Sequence, residues 1–206
     1  MRLLLIGAPG AGKGTQAERI AEHFGVVHIS SGDLLRDHVS RQTAVGRTAS
    51  AYMDRGELVP MAVVLDMLRK PVVAAAAAGG YVLDGFPRTV EQAEAGYEVA
   101  RDLGVSVQLA ILLDVNRDQL VQRLLARGQS SGRSDDTAEV IERRLAVYQE
   151  QTEPLLDYYR TRERLIVVNG DRRVDEVTWS VVVQLQRAHR QLTDAPSAAA
   201  PTTPTS

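Results

Sequence analysis

With 206 residues, 44% of them apolar, the chain is long enough for one domain with room for small insertions. A net charge of −2 supplies no general field for a polyanion, so nucleic acid is not an expected partner. The absence of cysteine excludes disulfides, thiolate catalysis and a cysteine-held zinc; with no run of ~20 apolar residues and no charged-then-apolar leader, the cytoplasm is the expected compartment and no membrane partner is expected.

The first predicted strand, Leu3–Ile6, runs into Gly-Ala-Pro-Gly-Ala-Gly-Lys-Gly-Thr (7–15) and a helix over Lys13–Phe24. Gly7, Gly10, Gly12 and Gly14 carry no Cβ, so successive N–H groups can converge on phosphate oxygens. The helix start adds unpaired N–H groups and a positive dipole end. Lys13 offers a mobile charge for β/γ-phosphates, and Thr15 a hydroxyl near phosphate or Mg²⁺. An ordinary glycine-rich turn is the plainer reading, but strand, glycines, lysine and helix coincide here. In the general pattern the hydroxyl follows the lysine directly; here Gly14 intervenes, and the ending Gly-Lys-Gly-Thr narrows the reading toward small kinases. Lysine is otherwise scarce: Lys13 and Lys70 are the only two among 24 basic residues. One of them stands where a compact ammonium is wanted and a planar guanidinium substitutes badly.

A second strand, Val26–Ile29, leads into Ser30-Ser31-Gly32-Asp33-Leu34-Leu35-Arg36 and a helix over Ser31–Val39. The serines can cap that helix and Asp33 suits its first turn, but Arg36 opposes the dipole there, which a second phosphate would explain. Residues 30–60 contain no strand and read as an inserted helical arm. A helix over Val63–Leu68 precedes Pro71, where a kinked helix end is expected. The strand Tyr81–Leu83 closes on Asp84, a carboxylate placed to hold Mg²⁺ through water, with a turn or cap as the plainer alternative. In Gly85-Phe86-Pro87-Arg88, Gly85 admits a ligand to the backbone, Pro87 stiffens the turn and Arg88 offers a fork of donors for a phosphate.

The helix Val90–Leu103 and the strand Val107–Leu113 follow, then a helix over Gln119–Arg127 whose Arg123 and Arg127 share one face. The polar stretch 128–136, with Arg133, has the composition of a mobile flap. A long helix is expected over Ala138–Tyr159, carrying Arg144 and capped by a box of Asp136 and Glu139. The strand Leu165–Val168 and the helix Val174–Ala188 complete the pattern; residues 193–206, with three prolines, are expected to be disordered. Strand–helix alternation implies a parallel sheet covered on both faces, binding ligands at the carboxyl ends of its strands. Arginine is so common here that single residues say little; the spacing favours Arg88 and the Arg123/Arg127 pair. The four histidines are scattered, and His28 in a strand suits packing better than catalysis. Phosphoryl transfer needs alignment and charge neutralisation more than a strong base.

Taken together, Gly-Ala-Pro-Gly-Ala-Gly-Lys-Gly-Thr-Gln (7–16), His-Ile-Ser-Ser-Gly-Asp-Leu-Leu-Arg (28–36), Gly-Glu-Leu-Val-Pro (56–60), Leu-Asp-Gly-Phe-Pro-Arg-Thr (83–89), Gln92 and Arg-Ser-Asp-Asp (133–136) resemble the adenylate kinase family in order and spacing. The resemblance runs from residue 1 to about 188. It implies a P-loop NTPase-type α/β three-layer sandwich with a five-stranded parallel sheet. The core would comprise residues 1–29, 60–125 and 137–192, with an NMP-binding arm over 30–59, a short lid over 126–136 and a tail over 193–206. It further implies transfer of phosphate from ATP to AMP with Mg²⁺, giving two ADP, in a monomer. ATP would lie on Gly10, Ala11, Gly12, Lys13, Gly14 and Thr15, with Arg123 near the adenine, Arg127 on phosphate and the main chain of Gly170 bordering the base. AMP would lie against Ser31, Arg36, Glu57, Leu58, Val59, Gly85, Phe86, Pro87, Arg88 and Gln92. Arg133 and Arg144 would reach the transferring group, joining Lys13, Arg88 and Arg123 as catalytic residues, and Asp84 would hold Mg²⁺ through water.

Three departures stand out. Ser31 replaces the usual threonine, which is expected to weaken AMP contact by under ~1 kcal/mol, about one methyl. Met61-Ala62 replaces a polar residue after Pro60 and gives up a helix cap. Only five residues separate Arg127 from Arg133, a short-lid form with no structural zinc. Gln92 can pair its amide with the adenine edge, and Thr89 stands where pyrimidine-specific relatives carry Asn, so AMP is favoured over CMP or UMP. A CMP/UMP-accepting kinase and a non-catalytic nucleotide-binding protein of the same fold are the alternatives.

Overall fold

In the computed structural model, residues 1–131, 136–162 and 165–194 are described. Five strands, β1 (Arg2–Ile6), β2 (Val27–Ser30), β3 (Tyr81–Asp84), β4 (Leu109–Asp114) and β5 (Leu165–Asn169), form one parallel sheet in the order β2-β3-β1-β4-β5. In the central strands β1, β3 and β4 the apolar runs are continuous because both faces are buried, whereas Val27 of β2 and Val167 of β5 are exposed at the edges. Alternate residues serve alternate faces. Leu3, Leu5, Ile111 and Leu113 pack with Ile20 of α1 (Lys13–Phe24), Leu124 of α6 (Arg117–Ser131), Ile141 of α7 (Ala138–Val147) and Leu185 of α9 (Val174–Asp194). Leu4, Ile6, Leu83 and Leu112 pack with Leu35 of α2 (Ser31–Ser40), Leu68 of α4 (Met61–Ala77), Ala93 of α5 (Val90–Asp102) and Leu155 of α8 (Pro154–Arg160). β1 lies between β3 and β4; the chain leaves β1 toward β2 on the β3 side of the sheet and leaves β4 toward β5 on the other. The strand order therefore reverses beside β1, and a crevice opens at its carboxyl end.

Residues 31–53 hold α2 and α3 (Ala44–Met53) and no strand. The two helices meet closely at Gly46, where a Cβ would collide with the His38 carbonyl. Thr43 locks the corner: its hydroxyl oxygen accepts from the Gly46 N–H at 3.0 Å and meets His38 Nδ1 at 2.8 Å.

Four local expectations need correction. Helix α4 continues through Pro71 to Ala77; the alanine run after the proline has the highest helix propensity and outweighs one lost backbone bond. Helix α6 extends to Ser131, so residues 128–131 of the expected flap are helical, while residues 132–135, Arg133 among them, lie outside the described residues. The expected long helix is interrupted by a π-helical turn, Tyr148–Thr152, before Pro154 opens α8. There the Glu153 N–H donates to the Tyr148 carbonyl, five residues back, at 2.9 Å. Helix α9 reaches Asp194, two residues into the expected tail; residues 195–206 lie outside the described residues. Among the described residues no helix is long and apolar enough to cross a membrane.

Gly46→Ala should force α2 and α3 apart and leave the sheet intact. Hydrogen exchange should show faster amide exchange over 31–53 with β1, β3 and β4 unchanged; uniform loss of protection would contradict this independence.

Candidate active site

At the end of β1, Gly10 adopts φ 85°, and a Cβ on it would lie 2.9 Å from both the Leu120 carbonyl oxygen and Leu124 Cγ. The turn can therefore sit tightly on α6 only with glycine. Gly12, also left-handed, opens α1 with no side-chain cap and no acid in the first turn. No carboxylate within that turn competes for its orphan N–H groups. Lys13 folds back over the loop, its Nζ donating to the carbonyls of Gly7 at 2.8 Å and Ala8 at 3.0 Å. Burial lowers its pKa to about 8; Asp84 opposes the shift, and Arg88, Arg144 and Arg127 add to it.

Asp84 ends β3, level with Ser30 of β2 and Leu5 of β1. The residue is 7% exposed, and its Oδ1 has no hydrogen-bond partner. An orphaned buried carboxylate oxygen is costly unless a cation or water completes it. The next residue, Gly85 at φ 84°, would bring a Cβ to 2.5 Å from Ser31 Oγ. Arg88 turns back so that its Nε donates to the Gly85 carbonyl at 2.8 Å. Its backbone N–H donates to Gln92 Oε1 at 2.8 Å, while Thr89 caps α5 by accepting from the Gln92 N–H. Half of the Gln92 amide is thus committed to the turn that aims Arg88.

A cleft of about 510 Å³ runs over the loop. Lys13, Arg36, Arg88, Arg123, Arg127, Arg144 and Arg172 line it, against the carboxylates Glu18, Asp33 and Asp84. Gly10, Ala11, Gly12, Gly14, Thr15 and Gly170 complete the loop side. A second cavity of about 60 Å³ lies under the arm, lined by Ser31, Arg36, Glu57, Leu58, Val59, Gly85, Phe86, Arg88, Gln92 and Arg144. Arg36, Arg88 and Arg144 line both. Pro87 lies elsewhere, against a larger apolar cavity behind Phe86 between α4, α5 and α8, and beside the loop on the opposite side. Arg36 also has a local partner, Asp33 Oδ1 at 2.6 Å, so the sequence-level puzzle over its charge has a structural answer as well as a ligand one. Glu57 pairs with Arg55 at 2.8 Å, which holds its carboxyl below the usual range.

Arg123 donates to the Gly170 carbonyl and to Gln119 Oε1, each at 3.0 Å. Arg127 and Arg144 meet on Asp136, so the cap expected of this residue is not what it forms. Thr137 caps α7 instead. Arg127 holds both Asp136 oxygens, at 2.6 and 2.8 Å, and Arg144 NH1 reaches Oδ1 at 2.7 Å. Burial pushes the Asp136 carboxyl up, but the hydrogen bonds and charges of the two arginines outweigh it and hold it below the usual range. Asp136, Asp33 and Arg172 were missed as site residues. The Arg-Ser-Asp-Asp run carried a signal for the first: an acid near several arginines on neighbouring helices is more useful as their shared partner than as a cap.

Fold and site define a class: a phosphate-loop α/β protein in which two cavities share one group of arginines at the strand ends. The family model described as adenylate kinase matches residues 5–164. The chain is 49% identical to an adenylate kinase of Nocardia farcinica over 86% of this chain and 94% of the relative. It is 45% identical to one of Kocuria rhizophila over 90% and 99%, and 40% identical to one of Phocaeicola vulgatus over 91% and 99%. The chain belongs to the adenylate kinase family.

Asp136→Asn should destabilise the fold by about 1–3 kcal/mol, since it leaves two arginines around a neutral amide while water screens the half-open one. Because the native carboxyl is held below its unfolded value, this stabilisation is present above pH ~4 and lost as pH falls through the lower folded value. Denaturant melts of both proteins from pH 7 to 2 should therefore converge at low pH; a constant gap would contradict the ion-pair account.

Proposed function

We propose that the chain transfers the γ-phosphoryl group of ATP to AMP, giving two ADP, with ATP in the 510 Å³ cleft and AMP in the cavity under the arm. The observation that carries this reading is the sharing of Arg36, Arg88 and Arg144 by both cavities. A group passed between two sites needs positive charge at the junction, where it belongs to neither nucleotide.

Placement supports the following roles. N–H groups of Gly10–Thr15 cradle the ATP phosphates. Lys13 leaves the Gly7 and Ala8 carbonyls to follow the moving charge, and Arg88, with Arg36, orients the AMP phosphate. A phosphate oxygen of AMP attacks the γ-phosphorus in line, and the bridging oxygen departs with the first ADP. No proton need move, which agrees with a site built of cations and no histidine. Arg127 and Arg144, spaced by Asp136, neutralise the three equatorial oxygens. Arg123 and the Gly170 main chain border the donor base, and the remaining Gln92 amide edge reads the acceptor adenine.

Magnesium fits on one observation: Asp84 offers a buried, unpartnered oxygen facing the loop cleft. Among the described residues no three His, Asp or Glu side chains gather into a metal site. Asp84 would therefore hold the ion through water, with phosphate oxygens supplying further ligands. When bound, Mg²⁺ neutralises phosphate charge and fixes the chain's orientation. Closure of the arm over 30–59 removes water that would otherwise take the phosphoryl group.

ADP should form when purified protein is mixed with ATP, AMP and Mg²⁺, and Arg88→Ala should cut the rate about 10³-fold without unfolding. Wild-type protein that is folded but inactive would refute the reading. The site also predicts a pH effect. Bound polyphosphate favours the charged Lys13, so at pH 9, above its free value of about 8, binding must first restore a proton. ATP affinity should fall up to about tenfold between pH 7.5 and 9, with proton uptake in calorimetry. Lys13→Met should show neither; an unchanged slope in that variant would assign the effect to another group.

A further inference from the structure

Gln16 follows the phosphate loop directly, on the first turn of α1, yet its side chain points away from the loop's anion cradle. The residue is 3% exposed. Its Nε2 donates to the carbonyl of Val174, the first residue of α9, at 3.1 Å. Its Oε1 accepts from the Thr178 hydroxyl at 2.8 Å. The amide has one possible orientation, because a carbonyl can only accept and so must face the NH₂. One turn further along α1, Arg19 pairs with Asp175 at 2.5 Å and extends the same seam to the surface.

The loop between β5 and α9 is therefore fastened at both ends. At the β5 end, the Gly170 N–H donates to the Asp114 carbonyl at 2.7 Å and Arg123 holds the Gly170 carbonyl. At the α9 end, Gln16 of the phosphate loop's own helix adds a buried polar fastening to the apolar packing of Ala17 and Ile20 with Val177 and Val181. Gly170, Val174 and Gln16 all line the loop cleft. The buried glutamine thus helps to fix the distance from phosphate cradle to base wall.

We propose that Gln16 is a positioning residue for the donor base: by fixing the start of α9 against α1, it holds the wall at 170–177 at the span that suits ATP and so contributes to donor-base selectivity. This rests on reading the loop cleft as the donor site. Gln16 does not line the cavity under the arm.

Gln16→Met keeps the volume and removes both bonds, and Thr178→Val keeps the shape and removes one. Each folded variant, checked by circular dichroism, should raise KM for ATP several-fold, about tenfold for Gln16→Met, with kcat and KM for AMP within twofold. The rate ratio of ATP to GTP should fall in parallel, and the double variant should be no worse than Gln16→Met alone. A lower melting temperature with unchanged KM for ATP and unchanged base preference would overturn the proposal and leave Gln16 a fold residue. A rise in KM for AMP in place of ATP would overturn it differently, by showing the two cavities to be assigned in reverse.

Discussion

Seven cations face one cleft, and their mutual repulsion is the constraint that the rest of the site answers. Its effect is visible on Lys13, where burial and the fields of Arg88, Arg144 and Arg127 weaken the hold on a proton. Such a cluster persists because six of its members are anchored elsewhere, Lys13 among them on the Gly7 and Ala8 carbonyls. Arg88 is tied to Gly85, Arg36 to Asp33, Arg123 to Gly170, and Arg127 with Arg144 to Asp136. The anchors cost little on the strand and helix ends, where turn residues and carbonyls are already at hand. What they leave is net positive potential in a partly buried space, which polyphosphate relieves.

The sheet explains why these groups can be gathered at all. Reversal of strand order beside β1 brings the ends of β1 and β3 into one crevice. Their buried faces need two apolar layers, and Leu3 and Leu4 show how one strand feeds both. Chemistry is placed at the turns beyond the strands and on the faces of α6 and α7 above them, so the layers can be rigid while the arm carrying α2 and α3 packs mainly upon itself at Gly46.

Much of this could be read from the chain. Apolar runs marked all five strands, and Lys13–Phe24 was legible to the residue because glycines flank it. Errors fell where one local rule met a stronger competitor. Pro71 suggested a helix end, but alanine propensity and burial of Ala75 carried α4 onward. Asp136 fitted a capping box, but two arginines from α6 and α7 claimed it, an arrangement that only tertiary packing creates. The individual cation positions were guessable from turn chemistry; their pairing was not, since Asp33 and the carbonyls of Gly85 and Gly170 are anchors without a sequence signature and Asp136 is marked only by the arginines around it. Gln16 reads as an unremarkable helix residue until α9 is laid against α1.

The central claim is that two nucleotides meet end to end at Arg36, Arg88 and Arg144. A crystal structure with a dinucleotide linking two adenosines through five phosphates tests it directly. The account predicts one adenine beside Gly170 and Arg123, the other beside Gln92 under the arm, and the phosphate chain running from Lys13 across Arg88. A second adenine lying in solvent, with the arm cavity empty, would contradict it.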